Sequence, residues 1–294
     1  LDLARDHHLT AHEVRALRRL ARVHRGRGQW EEAIRRGREA ADRAEAVAEP
    51  VQWARALDEV AHAEIGRGDD AAGRAILAEV AARGEENGDA HVAAVAAASL
   101  CALELAAGRA EAAILEGEKA LAGFPMTDPH RNTALLNVAA ALRRFGLWST
   151  AESCYHMVET RSTWVEHRAE AATERAVVAA ERGDAPTFRR RRARIVERMD
   201  DADLRLRALL NLGLGRGCLV AGEIDDGRDH LRQAISAARD ADLDLLLTSS
   251  GGASGLYRNE GGRFVDVARE AGVSPATVSR VFNETAPVDD ATQL

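Results

Sequence analysis

The chain has 294 residues, of which 46% are hydrophobic and 4% aromatic. Few aromatics and abundant alanine suit close helix packing and argue against an all-β fold. A formal net charge of −7 excludes bulk electrostatic attraction of the whole molecule to nucleic acid, leaving room only for a local basic site.

In chain order, the first feature is the opening LDLARDHHLT, which lacks the layout of a signal peptide. It also lacks Met, which suits a fragment or a processed chain. No apolar run approaches the ~18 residues needed to span a membrane. Glycines then recur at Gly28, Gly68, Gly108, Gly146, Gly183 and Gly222, at intervals of 40, 40, 38, 37 and 39 residues. Seven residues before them stand Ala21, Ala61, Cys101, Ala139, Ala176 and Gly215; five residues after them stand Ala33, Gly73, Ala113, Ala151, Phe188 and Gly227. A fixed period of this length marks a repeat architecture.

Each unit shows helical periodicity on both sides of its glycine. In the first, Leu17, Leu20, Ala21 and Val23 precede the turn, and Trp30, Ala33, Ile34 and Ala40 or Ala41 follow it. Leu57, Val60 and Ala61 with Ile76, Leu77 and Val80 repeat the pattern, as do Leu100 and Cys101 with Ala113, Ile114 and Ala120. The fourth unit has Leu135, Val138 and Ala139 with Ala151, Tyr155 and Val158; the sixth has Leu214 and Gly215 with Leu231 and Ala234. The fifth is weakest, with Arg175 at an apolar place and Phe188 at a small one. One helix pair per unit is predicted, with small residues letting the two helices approach closely.

Over roughly 12–240 this layout resembles the tetratricopeptide repeat, and GQWEEAI at 28–34 is close to that family's opening of its second helix. The family period is about 34 residues, so longer helices or loops must absorb the difference here. The resemblance implies an all-α fold: a right-handed α-solenoid of about six helix pairs, with the first helix of each pair lining a concave groove. It places Arg15, Arg18, Arg22 and Arg25 on that groove, then Arg55, Asp58 and His62, Val95, Ala98 and Ala102, Thr133, Leu136 and Arg143, and Leu209, Leu212 and Arg216. A basic stripe of this kind suits an acidic or C-terminal peptide partner; an ordinary solvated arginine face is the competing reading. The family's carboxylate clamp of Lys and Asn is not reproduced.

The register ends near Asp242, giving a helical repeat domain at 1–242 and a Gly/Ser-rich linker at 243–262. A short hairpin is expected there, pairing LYR with RFV around NEGG. The remaining segment, 263–294, reads as a helix-turn-helix: Val265, Val267, Ala268 and Ala271 make one face, Gly272 permits the turn, and Ser274 with Pro275 opens a second helix that buries Val278, Val281 and Phe282. Asp266 through Asn283 closely resembles the headpiece signature of the lactose-repressor family. That resemblance implies a recognition helix at 275–283, with Pro275, Ala276 and Arg280 at base edges and Ser274, Thr277, Ser279 and Asn283 at phosphates or bracing the helix. The headpiece opens a chain in that family and closes this one, the following helix and hinge are missing, and 255–294 hold four Arg against six Asp plus Glu. An overlapping span, 240–273, weakly resembles an FG-GAP repeat, which would make Asp240, Asp242 and Asp244 calcium ligands; one blade cannot close a propeller, and no metal or cofactor is expected.

Cys101, Cys154 and Cys218 form no CxxC pair and read as free thiols of a reducing compartment, two of them in the core. GLGRG at 213–217 lacks the GK[ST] of a phosphate loop and falls in a predicted helix. His7, His8 and His12 lack a further spaced ligand. RRRRAR at 189–194 reads as a solvated face or a patch for an anionic partner. No catalytic set stands out. The expected function is a cytoplasmic, non-enzymatic interaction scaffold in a bacterial-type regulator with a C-terminal DNA-binding element, able to form a homodimer; the alternative is a scaffold that binds only a peptide or protein.

Overall fold

The structure is a computed structural model that describes residues 10–199, 201–240, 247–248 and 255–256. Among the described residues there are twelve helices: α1 (Thr10–Gly26), α2 (Trp30–Ala46), α3 (Pro50–Gly66), α4 (Asp70–Glu86), α5 (Ala90–Ala106), α6 (Ala110–Gly123), α7 (His130–Arg144), α8 (Trp148–Arg161), α9 (Val165–Glu181), α10 (Ala185–Glu197), α11 (Leu204–Val220) and α12 (Ile224–Asp240). The fold class is all-α, arranged as helix pairs in the manner of an α-solenoid. The chain forms two compact units, residues 1–141 and 142–294. In the first, each helix from α1 to α6 packs on the next, and α1 also packs on α3 and α3 on α5. In the second, α9 packs on α8, α10 and α11, and α11 on α12.

The long period comes from the helices. Each of α1 to α5 has 17 residues, and three-residue turns separate them, which together make the 40-residue repeat. Shorter helices at α6, α8 and α10 accompany the shorter later intervals.

The recurring glycines close the turns. Gly28 donates its N–H to the Arg25 carbonyl, and Gln29 donates to His24, five residues back. The same two bonds recur at all six glycines, each with positive φ. This left-handed ending satisfies the last carbonyls of one helix and suits glycine because no Cβ intrudes. At Gly68 and Gly183 the next residue is aspartate, and Asp69 and Asp184 each accept a backbone N–H of the following helix. The turn between α2 and α3 uses Ala48 in this conformation, at φ 54°, where the next such turn uses Gly88.

The small-residue positions are contact points. Ala21, Ala33, Ala61, Cys101, Ala113, Ala139 and Ala151 are buried. A Cβ on Gly73 would come within 2.8 Å of the Ala61 carbonyl oxygen, and Cβ atoms on Gly215 and Gly227 would each crowd the other's carbonyl oxygen at 3.2 Å. The fifth pair departs from this pattern for a visible reason. Buried Phe188 fills space left by Gly217, where a Cβ would lie 2.8 Å from its ring, and Arg175 turns from the core to bond Glu152 and Glu159. GLGRG therefore lies inside α11, and its glycines admit Thr173, Leu231 and Phe188.

Two short strands, β1 (Leu247–Thr248) and β2 (Gly255–Leu256), pair antiparallel, Leu247 with Leu256. This corrects the expected hairpin: Leu256 pairs backward with Leu247 of the apolar run that opens the linker, and the intervening SSGGAS is rich in turn-forming residues. The rest of the expected hairpin, both domain boundaries at 242/243 and 262/263, and the FG-GAP aspartate side chains lie outside the described residues.

Candidate partner-binding face and nucleic-acid segment

Neighbouring first helices bring their facing side chains together, one repeat apart in sequence. In the first unit Arg18 donates to Gln52 Oε1 at 3.0 Å. Arg22 and Arg25 donate through Nε to the two oxygens of Glu59, at 2.7 and 3.1 Å. Glu59 is only 2% exposed. Burial opposes its ionisation, but Arg25 and Arg22 prevail and hold its carboxyl below the usual range. Arg55 donates to Asp128 Oδ2, which also meets His91 Nε2 at 2.8 Å. The other oxygen, Asp128 Oδ1, accepts from the His130 backbone N–H and lies 2.8 Å from its Nδ1. One carboxylate thus ties α3, α5 and the start of α7. His62 Nε2 lies 3.2 Å from Ser99 Oγ, which donates to Asp58.

Of the N-terminal stripe, Arg15 is exposed and the Arg22 side chain keeps 58% of its surface open despite its bond. Burial, with the nearby charges of Arg55 and Arg22, lowers the pKa of Arg18. Arg15 and Arg22 thus offer open guanidinium surface on this face, to which an anionic ligand is complementary.

The second unit repeats the motif around Glu174. Arg216 donates to it at 2.9 Å, and Arg143 lies 3.8 Å away while bonding Glu181. Burial disfavours the Glu174 charge, but Arg216 and Arg143 hold its carboxyl below the usual range. Burial, aided by Glu174, pushes the Tyr155 hydroxyl well above its ordinary value. Leu136 and Leu212, placed on the groove by the sequence, are buried. Arg216 is itself buried and Arg143 nearly so, both held against Glu174.

The acidic partners Glu59, Asp128, Glu174 and Glu181 were missed from sequence. Their signal is opposite charge at one repeat interval: Arg22 to Glu59 spans 37 residues and Arg143 to Glu181 spans 38. Asp128 lacks even that signal, because Arg55 reaches it over 73 residues.

Among the described residues, no helix is long and apolar enough to cross a membrane, and no group of three or more His, Cys, Asp or Glu could hold a metal ion. Ser274, Pro275, Ala276, Thr277, Ser279, Arg280 and Asn283 lie outside the described residues. A family model described as bacterial regulatory proteins, lacI family, matches residues 264–294, the span that holds all seven. This similarity supports DNA binding and a role in transcription regulation. No curated protein matches the chain.

Proposed function

We propose that the chain is a transcription regulator of cytoplasmic, non-enzymatic type, in which a tetratricopeptide-like helical array receives a protein or peptide partner and the 264–294 segment reads DNA. The observation that carries this reading is the lacI-family match. In it, Arg280 makes the bidentate contact to guanine for which arginine is best suited. Pro275 and Ala276 approach base edges, and Ser274, Thr277, Ser279 and Asn283 hold the backbone. The partner surface is Arg15, Arg18 and Arg22, with Arg25, Arg55 and His62 shaping that face of the first unit through their bonds to neighbouring helices; Arg143 and Arg216 hold the Glu174 cluster of the second unit. An acidic peptide suits its charge. The chain acts as a homodimer on a pseudo-palindromic site, because two-fold protein symmetry is mirrored in operator symmetry. No cofactor is required.

Selection from a randomised duplex library tests the DNA half. The intact chain enriches one site, and Arg280→Ala abolishes the enrichment. Recovery of the same site by both proteins refutes the assignment of Arg280. A specific observation favours the alternative, a scaffold without DNA binding: 264–294 hold two Arg against five Asp or Glu. That reading predicts no enrichment even at low salt.

A further inference from the structure

The outward face of α10 differs in its charge balance from the other second helices. On α2, Arg35 and Arg36 both bond Glu32 on the same helix. On α12, Arg228 and Arg232 stand three residues after Asp225 and Asp229 and pair with them. Such faces neutralise themselves, as solvated helix surfaces do. From Ala185 to Arg198 there are six arginines and one carboxylate, Glu197. Three of the six are engaged with other helices: Arg191 bonds Glu152, Arg192 bonds Glu223 and Asp226, and Arg189 lies 3.5 Å from Glu223.

Arg190, Arg194 and Arg198 remain. All three are exposed, and they follow one another at four-residue steps, with Phe188 and Ile195 forming the buried side of the helix. The residues three and four positions before Arg190 are Thr187 and Pro186; those before Arg194 are Arg191 and Arg190. The one carboxylate at in-helix spacing from the three is Glu197, three positions after Arg194, and the two form no ion pair among the described residues. Arg190 bonds only a hydroxyl, Thr187 Oγ1 at 3.2 Å, and Arg194 and Arg198 meet no carboxylate at ion-pair distance among the described residues. Four residues of helix rise about 6 Å. The three guanidiniums therefore form an evenly stepped row of positive charge, complementary in sign to the phosphates of a duplex.

We infer that Arg190, Arg194 and Arg198 form a phosphate-binding surface for duplex DNA. It supplies the sequence-independent attraction that the acidic 264–294 segment lacks, since neutralised phosphates provide essentially all of non-specific affinity. This rests on the DNA-binding reading above. The residues contact backbone only, so they add affinity without choosing a site.

The test measures binding of the full chain to a random duplex and to its selected duplex by fluorescence anisotropy across a salt series. Wild type is compared with Arg190→Gln/Arg194→Gln/Arg198→Gln and with Arg280→Ala. All three stripe positions are exposed, and circular dichroism checks that the fold is kept. The stripe variant is expected to weaken both duplexes by the same factor and to flatten the slope of log K against log salt by about 2 to 3, near 0.9 per lost phosphate contact. Arg280→Ala is expected to remove only the preference for the selected duplex. Site preference sensitive to Arg280, with an unchanged salt slope in the stripe variant, overturns the stripe and leaves the DNA-binding reading standing. A flattened slope without any Arg280-dependent preference supports the stripe and removes the assigned reader. Absence of binding to either duplex overturns both. Loss of binding to phosphatidylserine vesicles in the stripe variant, with DNA binding intact, assigns the stripe to lipid and overturns the proposal.

Discussion

Glu174→Gln is predicted to destabilise the second unit by about 3 to 5 kcal/mol, the cost of breaking a buried ion pair on one side. The carboxylate is 3% exposed, and the Arg216 bonded to it is 9% exposed. Unit charges 4 Å apart interact by about 4 kcal/mol at an effective dielectric of 20. The substitution removes that attraction from Arg216 at 2.9 Å and weakens it for Arg143 at 3.8 Å, while desolvation of both guanidiniums remains. Trp30 and Trp53 lie in the first unit, Trp148 and Trp164 in the second. A background with Trp30→Phe and Trp53→Phe therefore makes tryptophan fluorescence report the second unit during urea unfolding. A control replaces both Glu174 and Arg216 by Met; it should lie much closer to wild type, because apolar substitution of a whole buried pair is often neutral. A loss below about 1 kcal/mol for Glu174→Gln refutes the reasoning, since it means that water already solvates the pair. The sign with pH follows from the depressed folded-state pKa. The stabilisation is present above the unfolded carboxyl value of about 4.3 and is lost as pH falls through the folded one. Glu174→Gln should lack this acid-dependent part.

Ala48→Gly should raise stability by about 0.5 to 1 kcal/mol, because left-handed strain of about 1 to 2 kcal/mol at Ala48 is relieved and the added chain entropy of glycine offsets part of it; a lowered urea midpoint contradicts this. His130 has a folded-state pKa lowered chiefly by burial, then by Arg55. Its neutral form favours folding, so the first unit should lose stability as pH falls below about 6.5, the unperturbed value, until the folded pKa is passed. Thermal melts of His130→Gln should lack that component, and an identical pH profile for wild type and variant refutes it. Burial pushes the Cys101 thiol up to about 12, so alkylation at pH 8 should reach half-buried Cys154 well before Cys101; equal labelling of the two, read by peptide mass, contradicts the burial.

The repeat was legible in sequence where it depends on local chemistry. Gly28 and its five counterparts mark turns because a left-handed residue ends each helix, and Ala21, Ala61 and Cys101 mark contacts because large side chains would hold the helices apart. What depends on neighbouring repeats was less legible. In sequence the stripe from Arg15 to Arg25 suits either an open groove or a solvated face; the structure has Arg22 and Arg25 converge on Glu59, a partner visible only when opposite charges are compared one repeat apart. Phe188 seemed out of place because its compensation, Gly217, sits on a different helix pair. Arg55 and Asp128 meet across 73 residues, where periodicity carries no information about pairing. The hairpin register was also illegible, since short strands flanked by Gly and Ser pair with little positional preference.

The most direct test of the central claim is the randomised-duplex selection with the intact chain and Arg280→Ala, run in parallel at low and physiological salt. The account predicts a pseudo-palindromic site enriched by the intact chain at both salts and lost with Arg280→Ala. No enriched site at either salt contradicts it, and identical enrichment by both proteins removes Arg280 as the reader.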